Sequence, residues 1–115
     1  MNNCEDERVA ADGIEQALIR FAAGQDLRDA ELLATAFSDD AVLDFTQPAA
    51  ALGVSADPMI GRTSIVETVF AATAPLITSH TISNVRIVHL EEATAEAHAL
   101  IEAMHINRMK PNRRL

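Results

Sequence analysis

Residues 78–107 read TSHTISNVRIVHL, then EEA, then TAEAHALIEAMHIN, and they predict two adjacent strands joined by a turn. Strand side chains alternate between two faces, so a series of mostly small residues at every second position from 93 onward shares one face with His105. These residues are Ala93, Ala95, Ala97, Ala99, Ile101 and Ala103. A face of small side chains leaves room beside it, which indicates a small-molecule site with histidine at its rim.

The first run contains His80 near its start, and the second ends close to His105. If the two runs pair around the EEA turn, both histidines lie toward the same end of the sheet. Histidine exchanges protons near neutral pH, so the two are candidates for acid–base chemistry. The alternative is that each imidazole only hydrogen-bonds to backbone at a strand end. His89 and His98 are predicted to lie on the surface.

Strict alternation in the first run places Val85 and Ile87 on one face and the remaining apolar side chains on the other. The second group comprises Ile82, Val88 and Leu90. This distribution predicts that both faces of the strand are partly covered. The covering elements must come from the part of the chain that precedes the strand.

Apolar spacings upstream predict helices. The first spans residues 7–23 and is expected to end at Gly24, since glycine commonly terminates helices. Asp26 or Asp29 can cap a second helix through a side-chain oxygen. The apolar residues of that helix are Leu32, Leu33, Ala36 and Phe37. Asp26 therefore has two interpretations, a helix cap or a carboxylate that orients a histidine.

The middle of the chain predicts a strand over residues 41–45 and then a long connection with room for one helical turn. Thr63 can cap a third helix, which ends before Pro75. Helices thus precede an antiparallel pair of strands, and the predicted fold class is α+β with helices packed on the sheet.

Size and composition predict a single domain over residues 1–115, because 115 residues suffice for one compact core and 49% of them are hydrophobic. Aromatic residues are limited to four Phe. The core is therefore aliphatic and thin, and dimerisation is an expected remedy.

The formal net charge of −8 disfavours nucleic acid as a partner, since phosphate binding needs clustered cations. Four of the nine basic residues lie in a tail over 108–115, which is predicted to be solvated. No apolar run is long enough to span a membrane. Cys4 is the single cysteine, so no intrachain disulfide is possible, and a cytoplasmic location is expected.

Motifs for metals and nucleotides are absent from the sequence. There is no HExxH, paired CxxC, P-loop or GxGxxG, and the four histidines do not have the spacing of a metal motif. The sequence also lacks the GxSxG of serine hydrolases. We therefore expect neither a metal nor another cofactor.

The chain resembles the SnoaL-like branch of the NTF2-like superfamily, which includes scytalone dehydratase, ketosteroid isomerase and polyketide cyclases. The resemblance rests on IEQALIRFAAGQDLRDAELLATAFSDDAVLDF, on the segment GRTSIVETV, and on TSHTISNVRI followed by the strand ending in MHINR. It implies a cone in which three helices pack on a curved antiparallel sheet. Family members continue with further strands, so the sheet is expected to be shorter here.

The resemblance also implies functional residues. Asp26 matches the acid that follows the first helix, His80 matches the histidine of a T-x-H segment, and His105 matches a second active-site histidine. Gln25 and Phe45 stand where the dehydratase has tyrosines. The resemblance thus implies a cofactor-independent lyase or isomerase that acts on a small hydrophobic ring.

The expected site consists of a catalytic group and a pocket lining. We expect Asp26, His80 and His105 to be catalytic, with His80 as the base and Asp26 orienting it. The side chains expected to line the substrate pocket are Phe21, Gln25, Phe45, Ala99, Ile101 and Ala103. The alternative is a non-catalytic module of the same fold, which binds a small molecule or dimerises, or a truncated member without activity.

Overall fold

The computed structural model describes residues 3–107, in which helices precede a long antiparallel hairpin. The elements are α1 (Asn3–Asp26), α2 (Ala30–Ala34), β1 (Val42–Leu43), α3 (Thr46–Ala51), β2 (Met59–Ile60), α4 (Arg62–Thr73), β3 (Leu76–Leu90) and β4 (Ala95–Asn107). The predicted α+β class is confirmed. The helical turn expected in the long connection is helix α3, and the predicted basic tail lies outside the described residues.

The end of α1 differs from the prediction, because the helix continues through Gly24 to Asp26. Arg28 takes the left-handed conformation after it, with φ of 55°. The backbone N–H of Arg28 donates to the Gln25 carbonyl, and that of Asp29 donates to the Gly24 carbonyl. This pair of bonds is the Schellman arrangement, in which the left-handed residue usually is glycine.

Gly24 serves a different purpose, since it lets α1 approach α2 closely. A Cβ added at Gly24 would lie 2.6 Å from the backbone nitrogen and the Cα of Leu33. Leu33 is fully buried, as is Ile65 of α4. The glycine therefore permits the helix contact on which this part of the core is built.

The N-terminal caps of α2 and α4 test the predicted capping residues. Asp29 caps α2, where its side chain accepts from the backbone N–H of Leu32 at 3.0 Å. The prediction for Thr63 is wrong, because α4 begins at Arg62 after Gly61 and has no side-chain cap bond. Gly61 has φ of 91°, and its N–H donates to the carbonyl of Ala41 at 2.7 Å, which joins the residue before α4 to the residue before β1.

The β3–β4 hairpin contains two register shifts, one after Ser83 and one after Ile87. At the first, Asn84 and Val85 lie opposite the single residue Ala99, and Asn84 has φ of 55°. Each shift moves the alternation by one residue. The side chains of β3 that lie on the partly buried side are therefore Thr78, His80, Ile82, Val85, Ile87 and Leu90.

The two-faced distribution predicted for β3 is therefore wrong. Ile82, Val85 and Ile87 share the side that α1 covers, and Val88 remains on the other side with 42% exposure. A strict alternation rule misplaced them because bulges change the parity. One face of the hairpin is consequently apolar from Ile82 to Leu90 and carries Thr78 and His80 near the start of β3.

Candidate active site

The C-terminal end of α1 places Asp26 against the start of β3. Its carboxylate accepts three hydrogen bonds: from His80 Nδ1 to Oδ1 at 2.6 Å, from the Thr78 hydroxyl to Oδ1 at 2.8 Å, and from the His80 backbone N–H to Oδ2 at 2.9 Å. Because Asp29 caps α2, the interpretation of Asp26 as a helix cap is excluded. The carboxylate instead joins α1 to β3.

The surroundings of Asp26 favour its ionised form. Burial by itself raises the pKa of Asp26. The hydrogen bonds from the His80 ring, the His80 backbone and the Thr78 hydroxyl lower it by more than burial raises it, so the pKa lies below its usual value. The side chain of His80 is 6% exposed and that of Asp26 is 24% exposed. Solvent therefore screens this pair less than a surface ion pair.

Asp26 also determines which nitrogen of His80 carries a proton. An ionised carboxylate can only accept, so Nδ1 donates to it, and Nε2 of the neutral imidazole keeps its lone pair. The His80 ring meets that of His105 edge to face at a centroid distance of 5.7 Å, and that of Phe21 at 6.4 Å. Phe21 in turn meets Phe37 at 5.8 Å.

The pairing of β4 with β3 brings a wall, the predicted face of small side chains on β4, next to Asp26 and His80. His105 lies opposite Thr78, Ala103 opposite His80, and Ile101 opposite Ile82. Cross-strand partners point to the same face, so these β4 side chains share the face of His80. The wall is open, however: Ile101 is 41% exposed, and the other predicted wall residues, Ala99 and Ala103, are exposed too.

Two of the predicted lining residues are not brought to the pair. Gln25 is buried, and its amide donates to the backbone carbonyl of Phe21 at 3.1 Å within its own helix. Phe45 precedes α3 and is 48% exposed. Among residues 3–107, no hydrogen bond or ring contact joins either side chain to Asp26 or His80. Gln25 is adjacent to Asp26 in a helix, so the two side chains diverge by about 100°.

Thr78 was not among the residues predicted for the site. It is 8% exposed, and its hydroxyl donates to the same Asp26 oxygen that accepts from His80. Its position two residues before His80 puts both side chains on one face of the strand, which is the signal that could have identified it.

The other histidines lie away from the pair. His89 Nε2 contacts the Glu91 carboxylate at 2.7 Å near the hairpin turn, where both side chains are more than half exposed. His98 is exposed on β4. Within residues 3–107, no three His, Cys, Asp or Glu side chains are arranged to hold a metal ion. In the same range, no helix has both the length and the apolar character needed to cross a membrane.

A cavity of about 820 Å³ lies between the N-terminal half of α1 and the hairpin turn. Val9 and Ile14 line it from the helix, and Leu90 and Ala95 line it from the strands. Asp26, His80 and His105 are not part of its lining. The cavity is therefore separate from the candidate active site.

A family model described as the SnoaL-like domain matches residues 7–114. The chain belongs to this family. The matched range includes all of the described helices except the first four residues of α1, and both long strands. A comparison of the SnoaL-like chain with curated protein sequences gave no match.

Solved structures resemble the SnoaL-like chain in fold. A protein of Novosphingobium aromaticivorans provisionally named scytalone dehydratase aligns with a TM-score of 0.72 and 21% identity, over 94% of this chain and 68% of that one. A provisionally named aromatic ring hydroxylase of the same organism aligns with a TM-score of 0.70 and 24% identity, over 89% of this chain and 66% of that one. These likenesses establish the NTF2-like fold.

A third neighbour is the beta subunit of a provisionally named aromatic-ring-hydroxylating dioxygenase, also from Novosphingobium aromaticivorans. Its TM-score is 0.65 at 20% identity, and the alignment covers 85% of the SnoaL-like chain and 67% of the subunit. The SnoaL-like chain thus spans about two thirds of the length of each of these structures.

Proposed function

We propose that the chain is a lyase or isomerase that acts on a small apolar substrate containing a ring, with its own side chains and no cofactor. The observation that carries this proposal is the contact of 2.6 Å between Asp26 and the enclosed ring of His80. An imidazole that a carboxylate orients is suited to remove a proton near neutral pH. His105, whose ring lies beside that of His80, supplies a second proton-transfer group.

The first step is removal of a proton from a carbon next to a carbonyl group. His80 Nε2 takes this proton, and its ring becomes an imidazolium. The negative charge of Asp26 stabilises that cation, and a buried position strengthens the attraction because the effective dielectric constant is low. The electrons of the broken C–H bond form a C=C bond, and the π electrons of the carbonyl group move to its oxygen, which gives an enolate.

The second step separates the two reaction types. In a dehydration, the enolate electrons return and expel a hydroxyl group, which leaves as water with a proton donated by His105. In an isomerisation, His80 returns its proton to a different carbon, while His105 hydrogen-bonds to the enolate oxygen. The atoms and electrons of both reactions balance without an added oxidant or reductant.

The small side chains of β4 support an apolar ring as the substrate class. Ala103 lies directly across from His80, and Ile101 follows on the same face. These residues offer an apolar surface with room for a planar ring next to the base. One neighbour in fold is named scytalone dehydratase and two are named for aromatic ring hydroxylation, which accords with ring-containing compounds.

The test is turnover of a panel of cyclic ketones and β-hydroxy ketones by the wild-type chain and by His80→Gln. General base catalysis contributes about 100- to 10,000-fold, so the variant is expected to lose at least about 100-fold in kcat/KM. His89→Gln is the matched control, because His89 also contacts a carboxylate at 2.7 Å but is exposed. It is expected to retain wild-type turnover.

Wild-type turnover by His80→Gln would contradict the proposal. Binding of panel compounds without turnover of any of them would instead favour a second candidate function, a non-catalytic module that binds a small molecule or assembles into a dimer. The observation behind this second candidate is the exposure of β4, on which Met104 is 62% exposed and Ile106 is 53% exposed.

A further inference from the structure

Thr78 is buried and, with His80, is one of two residues of β3 that donate hydrogen bonds to Asp26, and the proposed reaction assigns no role to it. Its residue exposure is 8%. Its hydroxyl donates to Asp26 Oδ1 at 2.8 Å. We propose that Thr78 is a positioning residue, whose hydroxyl holds the Asp26 carboxylate in the orientation that receives the His80 Nδ1–H. This inference rests on the proposed role of the pair.

The geometry explains why one hydroxyl has this effect. A carboxylate can turn about its Cβ–Cγ bond, and a turn away from the observed angle moves the oxygen out of line with the imidazole N–H. His80 Nδ1 and the Thr78 hydroxyl donate to the same oxygen, Oδ1, while the His80 backbone N–H donates to Oδ2. Three donors with fixed backbone positions in β3 leave the carboxylate a single favoured rotation.

The position of Thr78 in the hairpin places it beside both histidines of the candidate site. Thr78 lies opposite His105 in the register, and His80 follows two residues later on the same face. Directly opposed side chains have Cβ atoms about 5 Å apart. Thr78 is therefore a hydrogen-bond partner of the carboxylate on α1 and a cross-strand neighbour of the second histidine on β4.

The charges that face the pair come from two strands. His80 approaches Asp26 from β3, and His105 from β4 meets the His80 ring. Arg28 follows Asp26 by two residues, but its guanidinium donates to Thr73 and to the Phe70 carbonyl of α4. Burial thus raises the pKa of Asp26, and the hydrogen bonds from His80 and from the neutral hydroxyl of Thr78 lower it by more, which favours the ionised form.

The experiment compares Thr78→Val, which removes the hydroxyl and keeps the volume, with Thr78→Ser, which keeps the hydroxyl. The first readout needs no substrate: carbon NMR follows the titration of the Asp26 carboxyl, and nitrogen NMR identifies the protonated nitrogen of His80. In Thr78→Val the pKa of Asp26 is expected to rise, because one hydrogen bond to the ionised form is lost. In Thr78→Ser it is expected to stay at the wild-type value.

The second readout is kcat/KM on a substrate from the panel. Thr78→Val is expected to lose about tenfold, the equivalent of one hydrogen bond to a charged group, with most of the loss in kcat. Thr73→Val is the matched control, since Thr73 is a buried threonine whose hydroxyl bonds to Arg28 and the Val69 carbonyl. It is expected to lose stability without moving the pKa of Asp26.

Two results would overturn the role of Thr78. One is an unchanged Asp26 titration in Thr78→Val, and the other is a raised Asp26 pKa in Thr78→Ser equal to that of the valine variant. If the valine variant does not fold, Thr78→Ala takes its place in the same comparison. Should the wild-type chain turn over no compound, the proposed reaction fails, and the NMR readout still decides the positioning role.

Discussion

Asp26 accepts three hydrogen bonds, and this single residue makes the stability of the fold depend on pH. Its pKa is lowered by folding, because the bonds from His80 and Thr78 outweigh the effect of burial. The sign follows from linkage: the stabilisation is present above the unfolded pKa and is lost as the pH falls through the folded pKa.

Asp26→Asn should therefore lower the free energy of unfolding at pH 7 by about 1–3 kcal/mol, the cost of weakening hydrogen bonds to a charged group. As the pH falls below about 4 the difference between variant and wild type should begin to shrink, since the carboxyl of the unfolded chain then becomes protonated. The difference should be smallest once the pH lies below the lowered pKa of Asp26 in the folded state. Urea unfolding at a series of pH values measures this difference. Glu91→Gln is the control, because its contact with His89 is exposed and should contribute little at either pH. A difference that stays constant with pH would contradict the role of Asp26.

Individual site residues could be predicted from the sequence only in part. The parity of the second strand and the resemblance to the family indicated Asp26, His80 and His105, and the structure brings them together. Thr78 was missed because threonine is common in strands, so its presence there does not indicate a function. Its hydroxyl becomes significant only when α1 delivers a carboxylate from 52 residues away.

At the scale of elements, the contact between α1 and α2 depends on the absence of a side chain at Gly24. An added Cβ would meet the Leu33 backbone at 2.6 Å, and backbone atoms cannot move aside as a flexible side chain can. Gly24→Ala should destabilise the fold by about 1–3 kcal/mol.

Gly13→Ala is the matched control for this substitution, because both glycines lie within α1 and nothing lies within 4 Å of a Cβ at Gly13. Alanine is the better helix former there, so Gly13→Ala should stabilise by about 0.5–1 kcal/mol. Urea unfolding of both variants measures the contrast. Equal effects of the two substitutions would show that the close approach to Leu33 does not matter.

The first bulge of β3 gives a second prediction for an element. Asn84 has φ of 55°, a conformation that asparagine and glycine tolerate and β-branched residues avoid. Asn84→Val should therefore destabilise by about 1–2 kcal/mol, whereas Asn84→Gly should remain near wild type. Thermal unfolding compares them, and a valine variant as stable as the glycine variant would be inconsistent with the left-handed bulge.

Element types were more predictable than their details. Periodicity indicated the helices and the hairpin because those patterns extend over many residues. It misplaced the end of α1, the start of α4 and the faces of β3. These features depend on single backbone conformations at Arg28, Gly61 and Asn84, which leave no periodic trace in the sequence.

At the scale of the whole molecule, the outer face of the hairpin carries exposed apolar side chains. Ile77 and Ile106 are paired across the strands and are each 53% exposed, and Met104 is 62% exposed. Contiguous apolar surface of this kind commonly marks an interface. We expect the chain to dimerise, with a light-scattering mass near twice 12.4 kDa.

Met104→Glu should shift the chain toward a monomer, because a charge would be buried at the interface. Leu52→Glu is the matched control, since Leu52 is 81% exposed at the end of α3 and lies away from the hairpin. It should leave the mass unchanged. A wild-type chain that is monomeric at high concentration would contradict the expectation.

The central claim concerns two residues that act as one unit, and a double-mutant cycle in kcat/KM tests it. Asp26→Asn, His80→Gln and the double variant are compared on one substrate of the panel, with His89→Gln, Glu91→Gln and their combination as the control cycle. If Asp26 acts through His80, the double variant should be no slower than His80→Gln, which loses about 100-fold or more. The control cycle should stay at wild-type activity. Fully additive losses of Asp26→Asn and His80→Gln, or wild-type activity in His80→Gln, would contradict the account.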